Sequence, residues 1–455
     1  MQPVTIDLAG KQAVVVGLAR SGQAACRVLL KQGAVVIGTD RRDEHEIGAD
    51  LSSLERDGVR LELGERYLRA LPWADCVVVS PGIDLREPPF RRLRDAGIPL
   101  IGEVELAYRC SEATFIGVTG TNGKSTTTTL LGVILKEAVL PAHVAGNIGT
   151  PLCGVAPSLA AGEYVVTELS SFQLETIEAF RPRVAVLLNL APDHLDRYDQ
   201  VEAYYRAKAR IFENQQPSDV AVINADDPLV LQAVVQTRGR TLSFSRTRAL
   251  AEGAYVEDDQ LVLVLDGRRE ALCRVSDLRI RGVHNLENAL AAGLAAAAIG
   301  ASLASIRTAL TSFEGLEHRL EFVAEIGGVR YVNDSKGTNV GAVVRSLESF
   351  AEPIVLIAGG RDKHGDFAPL LPLVGERVKR LILIGEAAGV MRRALVSASA
   401  IEEAPTLEEA VRRAAAVASP GEVVLLSPAC ASFDMFTDFE ERGRVFKTAV
   451  RGLRQ

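Results

Sequence analysis

Short apolar runs recur along the chain with enough polar and helix-spaced sequence between them to form a crossover. In the first hundred or so residues the runs at 13–16, 34–37 and 76–79 read as strands, and helical stretches begin near Ser21 and Pro88. Runs at 113–118, 164–166 and 184–188 continue the pattern, followed by those at 329–332, 354–358, 381–384 and 423–426. Parallel strands need a long connection and antiparallel ones do not, so strands alternating with helices predict α/β architecture with mainly parallel sheets. At 455 residues the chain has length for about three such domains. The pattern divides it into residues 1–107, 108–315 and 316–455.

The polar residues at the ends of these runs carry the chemistry. The stretch GVTGTNGKSTTTTL, residues 117–130, closes one strand-like run and opens a helical one. A helix start leaves backbone N–H groups without partners, and glycines let a polyanion approach them, so the junction reads as a phosphate cradle. Gly120 and Gly123 free the backbone, Lys124 reaches terminal phosphates, and the Ser125 or Thr126 hydroxyl suits magnesium. The spelling departs from the usual loop: the position six before the lysine is Val118, bracketed by Gly117 and Gly120, and Asn122 stands inside the signature. Two later strand ends, in TELSSFQLE and NLAPDHLDRY, offer Glu168 and His194 to a metal near a triphosphate.

In the first part, Gly17-Leu-Ala-Arg-Ser-Gly22 is followed, about twenty residues on, by Asp40 at a strand end. This is a dinucleotide-type turn with Ala19 in place of the middle glycine. It leaves three readings open: a nicotinamide dinucleotide, another nucleotide or nucleotide sugar, and plain helix packing. Ser80-Pro81-Gly82 is a second turn at the C-terminal end of a strand, where open α/β sheets bind ligands, or simply a turn.

Charge and cysteine usage narrow the class. A net charge of −7 with no long basic run argues against a nucleic-acid partner and favours small anionic substrates held at local sites. The six cysteines are scattered without a C-x-x-C pair, so reduced thiols and no zinc are expected. No basic segment followed by an apolar one opens the chain. The most apolar long run, residues 288–306, is mostly alanine with Gly, Asn and Ser and reads as a buried helix, not a membrane span. A cytoplasmic monomer without membrane contact is expected.

Taken in order, T-G-T-N-G-K-S (119–125), G-N-I-G (146–149), E-L-S-S-F-Q-L-E (168–175), D-H-L-D-R-Y (193–198), H-N-L-E-N (284–288), E-H-R (317–319), N-D-S-K-G-T-N (333–339) and S-P-A-C-A-S-F-D (427–434) resemble the motifs of the Mur ligases. These are ATP-dependent amide-forming enzymes of peptidoglycan precursor synthesis. The resemblance spans essentially the whole chain and implies a Rossmann-like N-terminal domain for a UDP-sugar, a P-loop ATPase-like central domain for ATP and Mg2+, and a Rossmann-like C-terminal domain for an amino acid. By resemblance, Gly120, Thr121, Asn122, Gly123, Lys124, Ser125 and Thr126 cradle ATP, Asn285 and Asn288 face the adenine, and Arg319 and Asp334 close on the nucleotide. Ser125 and Glu168 hold one metal ion and His194 helps hold a second. Lys208 matches a lysine that related ligases carry as a carbamate, which would turn a cation into a carboxylate able to support magnesium.

The resemblance also places Ala19, Arg20 and Ser21 near the uridine diphosphate and Asp40 and Arg41 near the uracil or ribose. Ser80 and Asn147 fall on the same substrate. Lys336, Thr338, Lys363, Ser432 and Phe439 match positions that hold D-glutamate, and two lysines with two hydroxyls suit an amino acid with two carboxylates. The string D-N-P-R, carried by relatives that add a diamino acid, is absent. The implied reaction joins D-glutamate to UDP-N-acetylmuramoyl-L-alanine through an acyl phosphate, with Lys124 and magnesium stabilising the moving phosphoryl group and His194 acting as a metal ligand, not a base. The competing readings are another ligase of the superfamily, a nucleotide-driven switch protein and an NAD oxidoreductase.

Overall fold

The computed structural model describes residues 8–47, 51–194, 197–234, 237–280, 282–362 and 366–453. The apolar runs form the strands of three sheets. The first holds β1 (Gln12–Val16), β2 (Val35–Asp40), β3 (Arg60–Leu63), β4 (Cys76–Val79) and β5 (Leu100–Gly102) in the order β3-β2-β1-β4-β5, all parallel. The second holds β6 (Thr114–Thr119), β7 (Ala142–Gly146), β8 (Tyr164–Glu168), β9 (Val184–Leu187), β10 (Val220–Asn224), β11 (Arg240–Ser245), β12 (Gly253–Glu257), β13 (Gln260–Leu265) and β14 (Arg268–Arg274). Its order is β14-β13-β12-β11-β10-β9-β6-β8-β7, antiparallel only where β12, β13 and β14 meet. The third holds β15 (Glu321–Ile326), β16 (Val329–Asn333), β17 (Ile354–Gly359), β18 (Val378–Ile384), β19 (Ala400–Glu403) and β20 (Val423–Leu426), in the order β15-β16-β20-β17-β18-β19, with one antiparallel edge pair.

The chain forms two compact units. The first comprises Met1–Asp277 with Glu287–Ser312, and the second comprises Leu278–Leu286 with Phe313–Gln455. In the first unit, one apolar cluster runs from Leu29, Val104 and Leu106 of the first sheet's layer to Phe115, Leu169 and Phe180 of the second's. The helix Glu103–Arg109 fastens the two together: the buried Glu105 carboxylate accepts the backbone N–H groups of Glu178, Ala179 and Phe180, and Arg109 bridges Glu105 at 2.5 Å and Glu178 at 2.6 Å. In the second unit, separate apolar layers cover the two faces of the sheet, one around Leu356, Leu383 and Leu425 and one around Ile357, Ile382 and Leu426. Parallel strands buried on both faces explain why these runs are continuously apolar instead of alternating.

The apolar stretch at 288–306 is not one helix. It is divided between Val283–Ala298 and Leu303–Ser312, because Ala301 N–H bonds back to the Ala296 carbonyl at 3.0 Å and closes the first helix at Gly300. Among the described residues no helix is long and apolar enough to cross a membrane.

In the first sheet the strand order reverses between β1 and β4, so the loops that leave their C-terminal ends diverge and open a crevice. Ser80 Oγ, just after β4, donates to the Gly17 carbonyl just after β1 at 2.8 Å and fixes the mouth of that crevice. Gly22, in the helix Arg20–Lys31, lies so close that an added Cβ would stand 1.8 Å from the Gly17 oxygen. Helix propensity alone favours alanine there by about 1 kcal/mol, but a backbone oxygen in a bonded turn cannot rotate away, so the clash should win. Gly22→Ala is expected to lower the urea midpoint by the equivalent of about 2 kcal/mol; a midpoint at or above that of the parent would show that the turn yields instead.

Candidate functional site

The strand β6 lies inside its sheet between β9 and β8, and the polar junction after it is held from several sides. Gly123 caps the helix Lys124–Glu137 in the left-handed region at φ +83°, and a Cβ there would lie 2.2 Å from Asn288 Oδ1. The Lys124 ammonium folds back over the loop and donates to the carbonyls of Gly120 and Thr121, both at 2.9 Å. Asn288, buried on the helix Val283–Ala298, accepts from Thr127 Oγ1 at 3.1 Å. Asn285 is buried in the first turn of that helix. Ser125 and Thr126 are buried at the start of the helix that follows the loop. Gly117, by contrast, belongs to β6 and not to the cradle; a side chain there would press on Ile211 and Leu169.

Asn189, just beyond β9, clamps the loop with both ends of its amide. Its Oδ1 accepts Asn122 N–H at 2.9 Å, its Nδ2 donates to the Asn122 carbonyl at 3.1 Å, and its own carbonyl accepts Thr121 N–H at 2.9 Å. Thr121 Oγ1 is bonded in turn to Ala191 and, at 3.3 Å, to the Tyr204 hydroxyl. The backbone of the cradle is thus fixed by side chains on neighbouring strand ends, as preorganised anion recognition requires.

Glu168 ends β8, whose register sets it opposite Val118 of β6. One of its carboxylate oxygens accepts from Asn147 Nδ2 at 2.8 Å, while Asn147 N–H bonds the Glu168 carbonyl at 3.0 Å. The other oxygen, Oε2, is buried and accepts no hydrogen bond among the described residues. A buried carboxylate oxygen without a donor is costly, and the cost is removed when a cation takes that position. A carboxylate and a hydroxyl are the hard oxygen donors that magnesium prefers, so Glu168 and Ser125 fit that ion.

His194 has φ +54°, and its half-exposed ring lies against Phe172 at 5.0 Å and Tyr204 at 6.0 Å between centroids. Lys208, on the helix Val201–Ala209, is buried, with its ammonium nitrogen 4.7 Å from the centre of the Tyr204 ring. Burial pushes the Lys208 amine well below its ordinary range and the charge on Lys124 pushes it further, while Asp193 and Glu168 pull it back up. The amine is therefore biased to its neutral, nucleophilic form.

The crevice of the first sheet is a cavity of about 640 Å³ that brings together Ala19, Arg20, Ser21, Asp40, Arg41 and Ser80. Asp40 is engaged by its own chain: it accepts Leu18 N–H at 2.8 Å and is gripped by Arg42. Burial would raise its carboxyl, but the Arg42 guanidinium and the two backbone N–H groups outweigh that and hold it below the usual carboxylate range. Its role in the free chain is to shape the Gly17–Ser21 turn. Arg20 Nη2 donates to the Gly149 carbonyl at 2.7 Å, linking this turn to the G-N-I-G segment. Arg41 pairs with Glu87 at 2.8 Å and stacks over Tyr67.

In the second unit, Asp334 is buried at the end of β16 and accepts from Ser346 Oγ at 2.6 Å and Ser427 Oγ at 2.7 Å. Arg319 is partly buried nearby in charge terms, its cation drawing the Asp334 carboxyl downward against the larger effect of burial. Lys336 sits with its ammonium 4.7 Å from the centre of the Phe439 ring, and Thr338 N–H bonds the Lys336 carbonyl at 2.8 Å. Ser432 is buried in the loop after β20. Lys363 lies outside the described residues. Glu317, His318 and Glu321 also gather in this unit, where Lys447 already supplies a cation to both carboxylates.

Several residues with evident positioning roles escape motif reading. Asn189 stands inside a recognised string, but only the fold turns its amide onto the loop. Tyr67 and Glu87 join the first cavity from separate segments. Arg442 is wholly buried, and among the described residues no carboxylate is in hydrogen-bond contact with it. Its guanidinium donates to Ser335 Oγ at 3.0 Å, the Ser335 carbonyl at 2.8 Å and the carbonyls of Cys430 and Ala431, so one side chain binds the loops after β16 and β20. Burial depresses it to about 10. An arginine in a helix of ordinary charge pattern gives no such signal in sequence.

Comparison with known proteins matches residues 11–102 to the Mur ligase MurD-like N-terminal domain, 118–296 to the Mur ligase middle domain and 318–430 to the Mur ligase glutamate ligase domain. The chain is 47% identical over 452 residues to the UDP-N-acetylmuramoylalanine--D-glutamate ligase of Pelotomaculum thermopropionicum, covering 99% of each chain. It is 47% identical to the ligase of the same name from Trichlorobacter lovleyi, covering 98% of this chain and 100% of that one. Among solved structures, MurF from Acinetobacter baumannii superposes with a TM-score of 0.64 at 18% identity, covering 95% of this chain and 93% of that one. The UDP-N-acetylmuramate-alanine ligase of Thermotoga maritima gives 0.58 at 22% identity, covering 97% and 99%. At those identities the structural likeness speaks to the fold alone.

Burial pushes the Asp334 carboxyl up to about 6, against the opposing pull of Ser346, Ser427 and Arg319. Between its unfolded value and about 6 the folded chain keeps a proton that the unfolded chain has lost, so stability falls as pH rises through that window. Above it the ionised carboxylate costs at most about 3 kcal/mol. Asp334→Asn, whose amide oxygen can still accept from both serines, should raise the urea midpoint of the ligand-free protein at pH 8, with the gain shrinking toward pH 5. An unchanged midpoint at pH 8 would mean that the surrounding donors already neutralise the charge.

Proposed function

The chain belongs to the Mur ligase family, and from that premise we propose that it joins D-glutamate to UDP-N-acetylmuramoyl-L-alanine with conversion of ATP to ADP and phosphate. The observation that carries the chemistry is the buried, unsatisfied Glu168 oxygen on the strand beside the Lys124 loop, a place built for a cation next to a cradle built for phosphates. The observation that favours this substrate pair is the 47% identity, over nearly the full length, to ligases named for it.

Residues 1–107 take the sugar nucleotide in the cavity over the first sheet, residues 108–315 take ATP, and residues 316–455 take the amino acid. A carboxylate resists attack by an amine because its leaving group would be oxide. Transfer of the γ-phosphoryl group to the alanyl carboxylate gives an acyl phosphate, and the D-glutamate amine then displaces phosphate through a tetrahedral intermediate. Lys124, held over the loop by two carbonyls, is placed to follow the charge on the moving phosphoryl group. Ser125 and Glu168 would hold one magnesium ion and His194 would help hold a second, and bound magnesium would supply electrostatic stabilisation of that charge.

Lys208 contributes as a carbamate: its neutral amine, whose cationic form burial and Lys124 disfavour, adds carbon dioxide and loses a proton to give an anion that Lys124 attracts. Lys336, Thr338, Ser432 and Phe439, together with Lys363, hold the acceptor amino acid, the lysines and hydroxyls engaging its two carboxylates. The protein works as a cytoplasmic monomer.

Phosphate release with Mg-ATP and UDP-N-acetylmuramoyl-L-alanine should occur with D-glutamate and not with L-glutamate, L-lysine or meso-diaminopimelate, giving a product heavier by one glutamyl residue. Equal release in every well, including the one without amino acid, would instead mark a nucleotide-driven switch. For the carbamate, Lys208→Ala should lower kcat by roughly 10²–10³-fold, the scale of losing one oriented electrostatic group, and added acetate or formate should restore part of it. In parallel, ¹³C-bicarbonate should yield a carbamate resonance in the parent that the variant lacks. Full activity in the Ala variant would remove this role.

A further inference from the structure

Apart from the cavity over the first sheet, the first unit carries a groove of about 860 Å³. Its wall is assembled from the turn at Asp84–Arg86 and the helix Pro88–Asp95, the segment 197–200, and the helix Val201–Ala209 with its continuation to Glu213. Leu85, Tyr198, Ala203 and Ala207 give it an apolar floor. Among the described residues, Arg86, Arg91, Arg94, Arg197, Arg206 and Arg210 line it against four carboxylates, an excess of positive charge in a chain whose net charge is −7.

Three of these arginines are engaged by the protein. Arg210 binds Glu213 and the carbonyls of Leu174, Glu175 and Ile177. Arg197 donates to the carbonyls of Gly82 and Ile83. Arg86 is shared between Asp84 at 2.8 Å and Asp199 at 3.3 Å. The other three, Arg91, Arg94 and Arg206, are exposed, and among the described residues no carboxylate lies within 4.0 Å of their guanidinium nitrogens. Arg91 and Arg94 are three apart on one helix, a spacing at which like charges repel unless an anion lies between them. Arg206 enters from a different helix. Guanidinium groups match phosphate oxygens two at a time, and the groove's volume is that of a small-molecule site.

We propose that this groove is a second anion site, which takes a pyrophosphate-bearing molecule between Arg91, Arg94 and Arg206. The site communicates with the neighbouring cavity through the turn at Gly82–Asp84. Asp84 lines both spaces, and the Gly82 and Ile83 carbonyls held by Arg197 belong to the turn that walls the first cavity. An anion that draws Arg86 or Arg197 toward itself loosens that turn and weakens the ligand bound across it. This second step rests on the sugar-nucleotide reading of the first cavity; anion binding in the groove does not.

The test is calorimetric titration of inorganic pyrophosphate into the full-length enzyme saturated with Mg-ADP, which occupies the phosphate loop, with and without saturating UDP-N-acetylmuramoyl-L-alanine. One pyrophosphate is expected per chain, bound in both conditions. The triple variant Arg91→Ala/Arg94→Ala/Arg206→Ala should bind it at least tenfold more weakly, with unchanged Tm and unchanged turnover in the absence of pyrophosphate. The matching triple lysine variant should retain part of the affinity. Absence of binding, equal binding by parent and Ala variant, displacement by the sugar nucleotide, or equally tight binding of citrate would each overturn the site.

Uridine diphosphate titrated in the presence of the sugar nucleotide separates the two sources of the chemistry. Tighter binding than pyrophosphate assigns the groove to a nucleotide, and equal binding assigns it to free phosphates. Coupling predicts that pyrophosphate raises the KM for the sugar nucleotide at least threefold with kcat unchanged in the parent, and has no such effect in the Ala variant. An unchanged KM alongside intact binding would remove the coupling and keep the site.

Discussion

The arrangement of the first unit depends on one electrostatic constraint: positive and negative groups buried together at the C-terminal ends of the central strands, in surroundings that penalise any unpaired charge. Lys208 is enclosed and repelled by Lys124, and Glu168 keeps one oxygen without a donor among the described residues. A core closed for stability alone would pair or remove these groups, since an unpaired buried charge costs several kcal/mol. Their persistence is intelligible where polyphosphate and a divalent cation complete the pairing.

Holding such groups apart requires a rigid frame, which the fold supplies from strand termini. β6, β8 and β9 are hydrogen-bonded neighbours, so the loop after β6, Glu168 after β8 and Asn189 after β9 arrive at one edge in fixed register. Asn189 then fixes the loop backbone, Tyr204 and Thr121 join it to the helix that carries Lys208, and Asn288 secures the helix that follows the loop. Displacement of any one anchor would shift several donors together, because they share the same backbone.

The second unit uses buried charge in a different way. Arg442 crosses under two loops and satisfies their carbonyls, and Asp334 gathers hydroxyls from Ser346 and Ser427. Each is a single charged group that orders polar loops where apolar packing would leave their carbonyls and hydroxyls without partners. Such loops can present a half-buried lysine such as Lys336 to the half-buried ring of Phe439 while their backbone remains fixed.

Local pattern was enough for the sheet class, the positions of most strands and the polar strand-to-helix junction after β6, because continuous apolar runs and a Gly-Lys-Ser turn reflect local physical requirements. It also supplied Glu168 and His194 as candidates, being polar residues at strand ends, and Lys208 through the family resemblance. Tertiary packing was needed to show that Gly117 packs within a strand, that the apolar run at 288–306 breaks into two helices, and that Asp40 is held by Leu18 and Arg42. The same holds for Asn189, Arg442 and the arginine-lined groove. Their roles depend on which distant backbone groups come within 3 Å or so, or fail to, and that is fixed by strand order and helix packing, quantities that no local pattern encodes.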